Sequence, residues 1–569
     1  MQVLKNNRTV FSVFIIVWAA INLLQAGFTD LNSDEAYYWM YSRQLDWGYF
    51  DHPPMIALMI KIGYLIFHSE VGVRLVTVVL MVGTLAIVWR LIDTEPAKSR
   101  NLPYFIILAV MLPAFSIFGF MATPDSPLMF FAALFLLSYK RFLENESWQN
   151  AALISLSAAA MMYSKYHAVL LLVFTVLSNI RLLLRPKFIA ATAAALLLFM
   201  PHMLWQFRNE FPTFRYHLVD RAAGINFSYV PEYIGNLFVF QNPVILFIAL
   251  WLIFRKKIED RFKRALVFIV CGFILFFFAE SLRYRIQPQW TTLMALPVFI
   301  LVFDVLENHL AAKKAVRITA VIMIPLIVVA RLALAVDFLP VAFVKKDYHD
   351  YRKKMLEIQA VTGDLPVVFS NSYQTPSMYA FYTGKSAHSL NDFYYRKTQY
   401  DLWDFEEQLH GKRVVYIPHW PMQYFEDNFM KHFFVNGDSI YMKEYPAFMS
   451  LSKECAELDE NSYTFTADSL NRLSFSIHNP YPYPLNLATE DFPVSFYLGF
   501  FSNGSIVSYS ALEIADMVST INPGDTVAVE CRFTPGSLPE GRYRAAICCQ
   551  TGILYMTLNS PFSDAVIEI

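Results

Sequence analysis

The sequence predicts a polytopic α-helical membrane protein that continues into a soluble α/β region and a C-terminal β-sandwich. Of its 569 residues, 56% are hydrophobic and only 16% are charged, whereas a soluble chain of this size carries about 25% charged residues. Apolar runs recur through the first part of the chain, and the loops between them are basic on alternate sides. We therefore divide the chain into residues 1–342, 343–450 and 451–569.

About eleven apolar runs are long enough to span a bilayer, which takes about 20 residues of helix. Lys5 and Arg8 before the first run also fit a secretory signal, but the length of the run and the later loop pattern favour a retained first helix. The runs cover residues 10–28, 72–92, 103–120, 126–142, 148–164, 166–184, 188–206, 233–254, 264–280, 290–306 and 318–338.

Alternate loops carry a strong excess of lysine and arginine, which marks the cytoplasmic side of a membrane protein. This pattern predicts a multi-pass protein of the plasma (inner) membrane with a cytoplasmic N-terminus. Everything after residue 339 then faces the exterior or periplasm. The basic set comprises Lys5 and Arg8, then Arg90, Lys98 and Arg100, then Lys140 and Arg141, then Arg181, Arg185 and Lys187, then residues 255–264, and finally Lys313, Lys314 and Arg317.

The exterior loops combine acids, bases, histidines and aromatic residues. Loops are where polar residues accumulate in any membrane protein, but here the cytoplasmic loops are equally polar and almost purely basic. The chemical variety of the other side indicates a site there. Its short segments read TPDSP (123–127), SKYH (164–167), RNEFPTFRYH (208–217) and RYRIQPQW (283–290).

The first exterior loop, residues 30–54, is rich in acidic and aromatic residues. Asp34 and Glu35 lie where the first helix reaches the exterior, and a carboxylate there can act as a general base or help to hold a divalent metal. The alternative is a solvated carboxylate that caps a helix. We expect two short interfacial helices, over 33–45 with Ser33 as N-cap and over 53–67.

Asp51 and His52 precede a rigid proline pair in GYFDHPP (48–54), and Asp125 lies between two spanning runs. An acid so near the hydrocarbon is costly unless it has a partner, which favours function, although a capping role stays open. Cations at the same level suit a phosphate or diphosphate, although each one singly also fits a snorkelling anchor. These cations are Arg74, Lys165, Arg208, Arg215, Arg283 and Arg285.

Several of these motifs together resemble the protein O-mannosyltransferase-like superfamily of C-type (GT-C) glycosyltransferases, which includes the aminoarabinose transferase of lipid A. The resemblance covers about residues 10–410, is specific as a set, and leaves the β-sandwich outside it. It is carried by the Asp34-Glu35 pair, GYFDHPP, EVGVRL (70–75), TPDSPLMFF, SKYHAVLL (164–171), PHMLWQFRNEFPTFRYH (201–217), QPQW (287–290) and the exterior segment ending in RKTQYDLW (396–403).

The resemblance implies a GT-C fold and transfer of a sugar from a polyprenyl-phosphate donor to a lipid, glycan or protein acceptor. By carry-over, Asp34 matches the catalytic base, Glu35 completes the acidic pair, and Asp125 matches the second acidic position. Asp51 becomes a candidate metal contact, and a divalent metal is the one cofactor left open. His52 stands where the aminoarabinose transferase has lysine. Candidates for binding the donor phosphate or substrate are Arg74, Lys165, His52, Tyr49, Arg208, His217, Arg283 and Trp290.

The C-terminal third changes character. Residues 364–370 and 412–418 are typical of buried strands and alternate with helical stretches at 348–360 and 375–383, which predicts an α/β region. Short alternating strands from about residue 460 predict a β-sandwich. Cys455, Cys531, Cys548 and Cys549 are too few for a disulfide scaffold, and a pairing of Cys531 with Cys548 or Cys549 stays open.

Two rival functions remain from other classes. A lipid or sugar transporter would place polar residues inside its spans and repeat one half of the chain in the other. A non-enzymatic envelope-assembly protein would not need such varied exterior loops. The net charge of −1 gives no reason to expect a nucleic-acid partner.

Overall fold

The computed structural model describes residues 2–568 except 93–94, 216–223, 256, 420–430, 436–437, 490–491, 503–504, 516 and 537. The chain forms two compact units, Met1–His349 and Asp350–Ile569. The first is helical and the second contains the strands.

The first unit consists of helices joined by short loops. Short 3-10 segments at Ile180–Leu184 and Pro288–Met294 and a π-helical turn at Lys346–Asp350 complete it. The helices are α1 (Gln2–Phe28), α2 (Ser33–Arg43), α3 (Met55–Tyr64), α4 (Glu70–Leu91), α5 (Glu95–Met111), α6 (Pro113–Ser116), α7 (Asp125–Glu144), α8 (Trp148–Ser164), α9 (Ala168–Ser178), α10 (Pro186–Arg208), α11 (Pro212–Arg215), α12 (Tyr229–Gln241), α13 (Pro243–Arg255), α14 (Arg261–Glu280), α15 (Ala295–Asn308), α16 (Leu310–Ala335) and α17 (Ala342–Lys345).

Each of the eleven apolar runs falls on helix, and the prediction of a polytopic membrane protein is confirmed. Within the described residues, seven helices are long and apolar enough to cross a membrane, or eight if a bent pair counts as one span. The remaining runs form shorter or interrupted helices. The run at 148–164 is the 17-residue α8, the run at 166–184 breaks after Ser178, and the run at 103–120 breaks before Pro113.

The run predicted at 233–254 is bent by 94° between α12 and α13. Asn242 between them has a positive φ of 61°, a region that asparagine tolerates better than most residues. Pro243 follows, and a proline has no backbone N–H with which to donate the hydrogen bond that would continue the preceding helix. Hydropathy alone does not reveal this bend, because both halves are apolar.

The core of the first unit is built from aliphatic and aromatic side chains of α4, α5, α7, α14 and α15. Phe105 shows how tightly it is packed, since its ring lies within 5.0 Å of both Trp89 and Phe299. Many residues of α1, α10 and α16 expose aliphatic side chains instead, which is typical of helix surfaces that face lipid. The first unit therefore combines a packed interior with an apolar exterior.

The second unit begins with α18 (Tyr351–Thr362) and a mixed sheet of strand order β2-β1-β3-β5-β4. β1 pairs in parallel with β2 and β3, and β5 pairs antiparallel with β3 and β4. The elements are β1 (Val367–Ser370), α19 (Gln374–Thr383), β2 (Ala387–Leu390), α20 (Phe405–Leu409), β3 (Val414–Ile417), β4 (Lys431–Val435) and β5 (Asp438–Tyr445).

Two further sheets form a β-sandwich, of strand orders β11-β10-β15-β17-β7 (with β16 on β15) and β12-β14-β8-β6. Aromatic side chains join them, as where the Phe475 and Phe496 rings lie 5.7 Å apart. The strands are β6 (Ala456–Leu458), β7 (Ser462–Thr466), β8 (Asn471–His478), β9 (Leu485–Asn486), β10 (Val494–Ser502), β11 (Ser505–Ala511), β12 (Glu513–Ile514), β13 (Thr520–Ile521), β14 (Thr526–Phe533), β15 (Gly541–Thr551), β16 (Thr557–Leu558) and β17 (Ser563–Glu568).

The mixed sheet and the sandwich share one hydrophobic core, which runs from Val368 to Ile567. Glu406 of α20 ties them together because it accepts hydrogen bonds from Ser450, Ser452 and Tyr481 at 2.5–3.0 Å. The sequence separates residues 343–450 from 451–569, whereas here they pack as one unit. All five cysteines are free thiols.

Candidate active site

Helix α2 begins with two neighbouring carboxylates in different surroundings. Its N-cap is Asn32, whose side chain accepts a 3.0 Å hydrogen bond from the Asp34 amide, so the expectation of a Ser33 cap is wrong by one residue. Glu35 closes a capping box by accepting from the Asn32 amide at 3.1 Å. Asp34 lies half-buried in the first turn, where a helix favours negative charge, and Glu35 is fully buried.

Arg74 of α4 holds Glu35 and the loop before it. Its Nε and Nη2 atoms donate to the Glu35 carboxylate at 2.8 and 2.5 Å. It also donates to the carbonyls of Ala26, Thr29 and Asp30 at 2.6–3.0 Å. Glu35 was predicted to be catalytic and Arg74 to bind the donor phosphate or hold the loop. Since neither side chain is exposed, a positioning role suits both.

The Glu35 carboxylate also reaches the loop that leads into α7, because it accepts the Ala122 amide at 2.7 Å. Asp125 follows three residues later as the first residue of α7 and is buried. Its Oδ2 atom lies 2.7 Å from the ammonium of Lys165, which caps the C-terminus of α8 and is also buried. Asp34, Asp125 and Lys165 therefore lie at the same end of the helical unit.

The GYFDHPP segment folds against α2. The Tyr49 ring is buried and stacks on Tyr41 at 4.1 Å, so this predicted substrate-binding residue has a packing role here. Asp51 accepts hydrogen bonds from the Tyr37 and Tyr41 hydroxyls at 3.1 and 3.3 Å. Burial raises the pKa of Tyr41 well above its ordinary value, so the phenol stays a donor. His52 is half-buried beside the Tyr38 ring, 5.6 Å away.

The candidate metal contact at Asp51 lacks a ligand set in the described part of the chain. No group of three or more histidine, cysteine, aspartate or glutamate side chains lies close enough there to hold an ion. The Asp51 carboxylate is instead bonded to two phenols. The described residues around it do not fit a divalent metal.

A buried hydrogen-bond network anchors residues 46–50 to α10. His202 contacts the Trp47 carbonyl and the Tyr166 hydroxyl, each at 2.8 Å. Trp205 donates to Asp46 at 2.7 Å. Gly48 is required at this crossing, because a Cβ atom there would lie 2.4 Å from the Trp205 ring. Tyr166 follows Lys165 directly, so the network links the loop to the buried ion pair.

The part of the unit that contains Asp51, Asp125 and Lys165 matches a known family model. Residues 51–205 match the model described as dolichyl-phosphate-mannose-protein mannosyltransferase. Two crystal structures of ArnT from Cupriavidus metallidurans, in the apo state and bound to undecaprenyl phosphate, superpose with TM-scores of 0.55 and 0.53 at 14% and 16% identity. They cover 76% of this chain and 98% and 97% of theirs. The chain has the GT-C fold.

A curated relative adds a sequence match to the structural one. The lipid A galacturonosyltransferase RgtD of Rhizobium johnstonii is 26% identical over 293 residues, which are 48% of this chain. The match spans 60% of that relative's length. The predicted superfamily resemblance and the multi-pass membrane character of the chain are thereby confirmed.

The other predicted residues of the GT-C unit are spread around the same loops. Arg208 and Arg283 are exposed at helix ends. The Trp290 ring lies 5.3 Å from His167 and 6.0 Å from Phe277. His217 lies outside the described residues. The Glu35–Ala122 hydrogen bond and the Asp125–Lys165 ion pair connect the segments that carry Asp34, Asp125 and Lys165.

Two contacts near α2 were not predicted. Arg331 of α16 donates to Asn22 at 2.9 Å and approaches Gln25 at 3.4 Å. The signal was present in the sequence, since ionisable and amide residues inside apolar runs are costly and mark polar contacts. Tyr348 accepts from Asn32 at 3.3 Å. Burial and the Glu35 carboxylate raise the pKa of the Tyr348 phenol, which therefore keeps its proton.

Proposed function

We propose that this chain is a membrane glycosyltransferase that moves a sugar from a polyprenyl-phosphate donor to an acceptor on the exterior face of the inner membrane. Three comparisons support this class: the mannosyltransferase family model, the galacturonosyltransferase RgtD, and ArnT bound to undecaprenyl phosphate. The acceptor is a lipid, a glycan or a protein. The basic loops support a cytoplasmic N-terminus and an exterior second unit.

The observation that carries the proposal is the environment of Asp34. It is partly accessible and lies on a helix whose first turn is clamped by Asn32, Glu35 and Arg74. A base must be held in a fixed place to accept a proton in the transition state. Glu35 supplies rigidity and Asp34 supplies accessible charge, so the acidic pair divides two roles between adjacent residues.

The proposed reaction is a direct displacement with inversion at the anomeric carbon. The bond from that carbon to the donor phosphate oxygen breaks, and the phosphate leaves with the electron pair. A bond to the acceptor oxygen forms, and the proton of an acceptor hydroxyl passes to Asp34. If the acceptor is itself a phosphate, little base catalysis is needed, and Asp34 mainly positions other groups of the site.

The leaving phosphate needs neutralisation of its charge rather than protonation. Lys165 is the buried cation paired with Asp125, and its ammonium has three donors, of which one bonds to Asp125 at 2.7 Å. Asp125 thus orients Lys165. Arg208 and Arg283, exposed at the rim, suit the initial capture of an anionic donor, together with His52 and Trp290.

The test is turnover of radiolabelled polyprenyl-phosphate sugars, including hexose, pentose and uronic acid donors, by the purified full chain in lipid with envelope extract as acceptor. We expect one donor to be consumed, and Asp34→Asn to lower that rate by about 100-fold or more. Asp364→Asn, an exposed carboxylate of the second unit, is the matched control and should leave the rate unchanged.

Two results would contradict the proposal in different ways. If Asp34→Asn consumes a donor at an unchanged rate, the role of Asp34 as the base is contradicted, but the transferase activity is not. Absence of turnover with every donor, in wild-type protein that unfolds cooperatively and is therefore folded, would contradict the proposed transferase activity itself.

A further inference from the structure

A basic cavity lies at the end of the helical unit opposite the Asp125–Lys165 pair. It has a volume of about 700 Å³, opens to solvent, and is formed where the turn between α7 and α8 meets the start of α10. Three cations line it, with one carboxylate and apolar side chains beside them. The residues that matter are Glu146, Trp148, Arg181, Leu184, Arg185 and Lys187.

The position of the cavity follows from helix length. Helix α7 contains 20 residues, from Asp125 to Glu144, a rise of about 30 Å at 1.5 Å per residue. That distance is about the thickness of the hydrocarbon core of a bilayer. If Asp34 and Asp125 lie at one membrane face, the cavity lies at the level of the lipid head groups of the opposite face.

The cavity has an excess of positive charge. The Glu146 carboxylate accepts from Arg185 at 3.2 Å, and the Glu146 carbonyl accepts from Lys187 at 2.7 Å. One carboxylate therefore faces three cations. Arg181 is exposed and makes no ion pair within the part of the chain that the structure describes. The lining of the cavity therefore has an excess of two positive charges, which suits an anionic ligand.

Apolar surface adjoins these cations on the lipid side. Trp148 is 63% exposed, and the Lys187 ammonium lies 5.8 Å from its ring centroid. Ile180 and Leu184 are 62% and 79% exposed. An exposed indole beside lysine and arginine at this depth suits the boundary between head groups and acyl chains. A soluble anion would use the cations but not this apolar margin.

We propose that the cavity binds the head group of an anionic phospholipid, whose phosphate contacts Arg181 and Lys187 while its acyl chains follow the exposed aliphatic side chains. Basic pockets between helices at the cytoplasmic face have this chemistry. The site is separate from the proposed transferase centre and independent of it. It would anchor α8 and α10, the two helices that carry Lys165 and His202, to the inner leaflet.

The experiment is native mass spectrometry of the full chain, delipidated in detergent and titrated with phosphatidylglycerol or phosphatidylcholine. We expect one phosphatidylglycerol to bind more tightly than any phosphatidylcholine. The double variant Arg181→Gln, Lys187→Gln should weaken that binding by about 10- to 30-fold. Lys257→Gln, Lys314→Gln, which removes two exposed cations outside the cavity, is the matched control and should bind as the wild type does.

Each other outcome would overturn the proposal. Equal binding of both lipids, or equal weakening in both double variants, would mean that only the general charge of this face matters. Displacement of the bound lipid by millimolar inorganic phosphate would make the cavity a site for a soluble anion. Melting midpoints equal to that of the wild type should accompany all variants, because every substituted side chain is at least partly exposed.

Discussion

Two buried glutamates, one in each compact unit, hold their surroundings in different ways. Glu35 is bonded to the Arg74 guanidinium and to two backbone amides, whereas Glu406 is bonded to three hydroxyls and one amide. The first arrangement contains opposite full charges and lies next to the accessible Asp34. The second contains no ion pair to Glu406 among the described residues and joins two sheets. A buried carboxylate marks a candidate site only when the network around it leads to accessible polar groups.

The largest expected effect comes from removing the cation of the first network. Arg74→Met leaves the Glu35 carboxylate buried without its partner, which should lower stability by about 3–5 kcal/mol and abolish donor turnover because α2 loses its clamp. SDS-titrated unfolding in mixed micelles measures the first effect. Arg74→Lys should lose less, since it keeps the charge but not the two-pronged geometry.

Arg285→Gln is the matched control, because Arg285 forms an exposed pair with Glu232 and such pairs contribute about 0–1 kcal/mol. An Arg74→Met protein that is as stable as the wild type yet inactive would contradict the positioning role. That result would instead favour the other predicted role of Arg74, which is to bind the donor phosphate.

The buried Asp125–Lys165 ion pair allows the effects on stability and on activity to be separated. Asp125→Asn and Lys165→Met should each cost about 2–4 kcal/mol, because each leaves a buried charge unpaired. The double variant should regain most of that stability while donor turnover stays at least about 10-fold low. Recovery of both stability and turnover in the double variant would make the pair purely structural.

The second unit offers a pH-dependent contrast at His388, a buried residue of β2 between the Tyr400 and Phe405 rings. Burial lowers the pKa of His388 from 6.5 to about 3. The folded state keeps the ring neutral, whereas the unfolded chain binds a proton below pH 6.5. Stability from this residue is therefore complete above pH 6.5 and is lost as the pH falls towards 3.

By pH 4 the loss should reach up to roughly 3 kcal/mol. Hydrogen–deuterium exchange of peptides that cover β2 reports on this region alone. His388→Leu should flatten the acid dependence of that exchange, while the half-buried Asp392 and Asp401, whose pKa values desolvation raises, remain in both proteins. The same acid dependence in His388→Leu would assign it to other groups.

The sequence predicts the parts of this molecule that depend on local pattern. Apolar runs of 17 or more residues locate the helices, and the alternating segments after residue 460 locate the sandwich, because hydropathy and period are properties of neighbouring residues. The capping signal at residues 32–33 also places Asp34 at a helix start, one residue off in the cap itself. The role of Asp34 itself stays a prediction.

Contacts between distant residues were not predictable in the same way. Glu35 and Asp34 look equivalent in sequence, and only Arg74, 39 positions away, separates them. Arg331 and Asn22 lie 309 positions apart, and Tyr49 is taken out of reach by stacking on Tyr41. The Asn242 bend depends on a positive φ that hydropathy does not register.

The smallest expected effect tests whether the hydrogen bonds of Glu406 have only a structural role. Glu406→Gln keeps one acceptor oxygen but turns the other into a donor that faces hydroxyls, which should cost about 1–2 kcal/mol. Donor turnover should not change. Glu407→Gln is the neighbouring control, since Glu407 forms a partly exposed pair with Lys453 and its loss should cost less than about 1 kcal/mol. A Glu406→Gln protein of normal stability with reduced turnover would contradict the contrast between the two glutamates. The hydroxyl network around Glu406 would then affect sugar transfer, as the charged network around Glu35 is proposed to do.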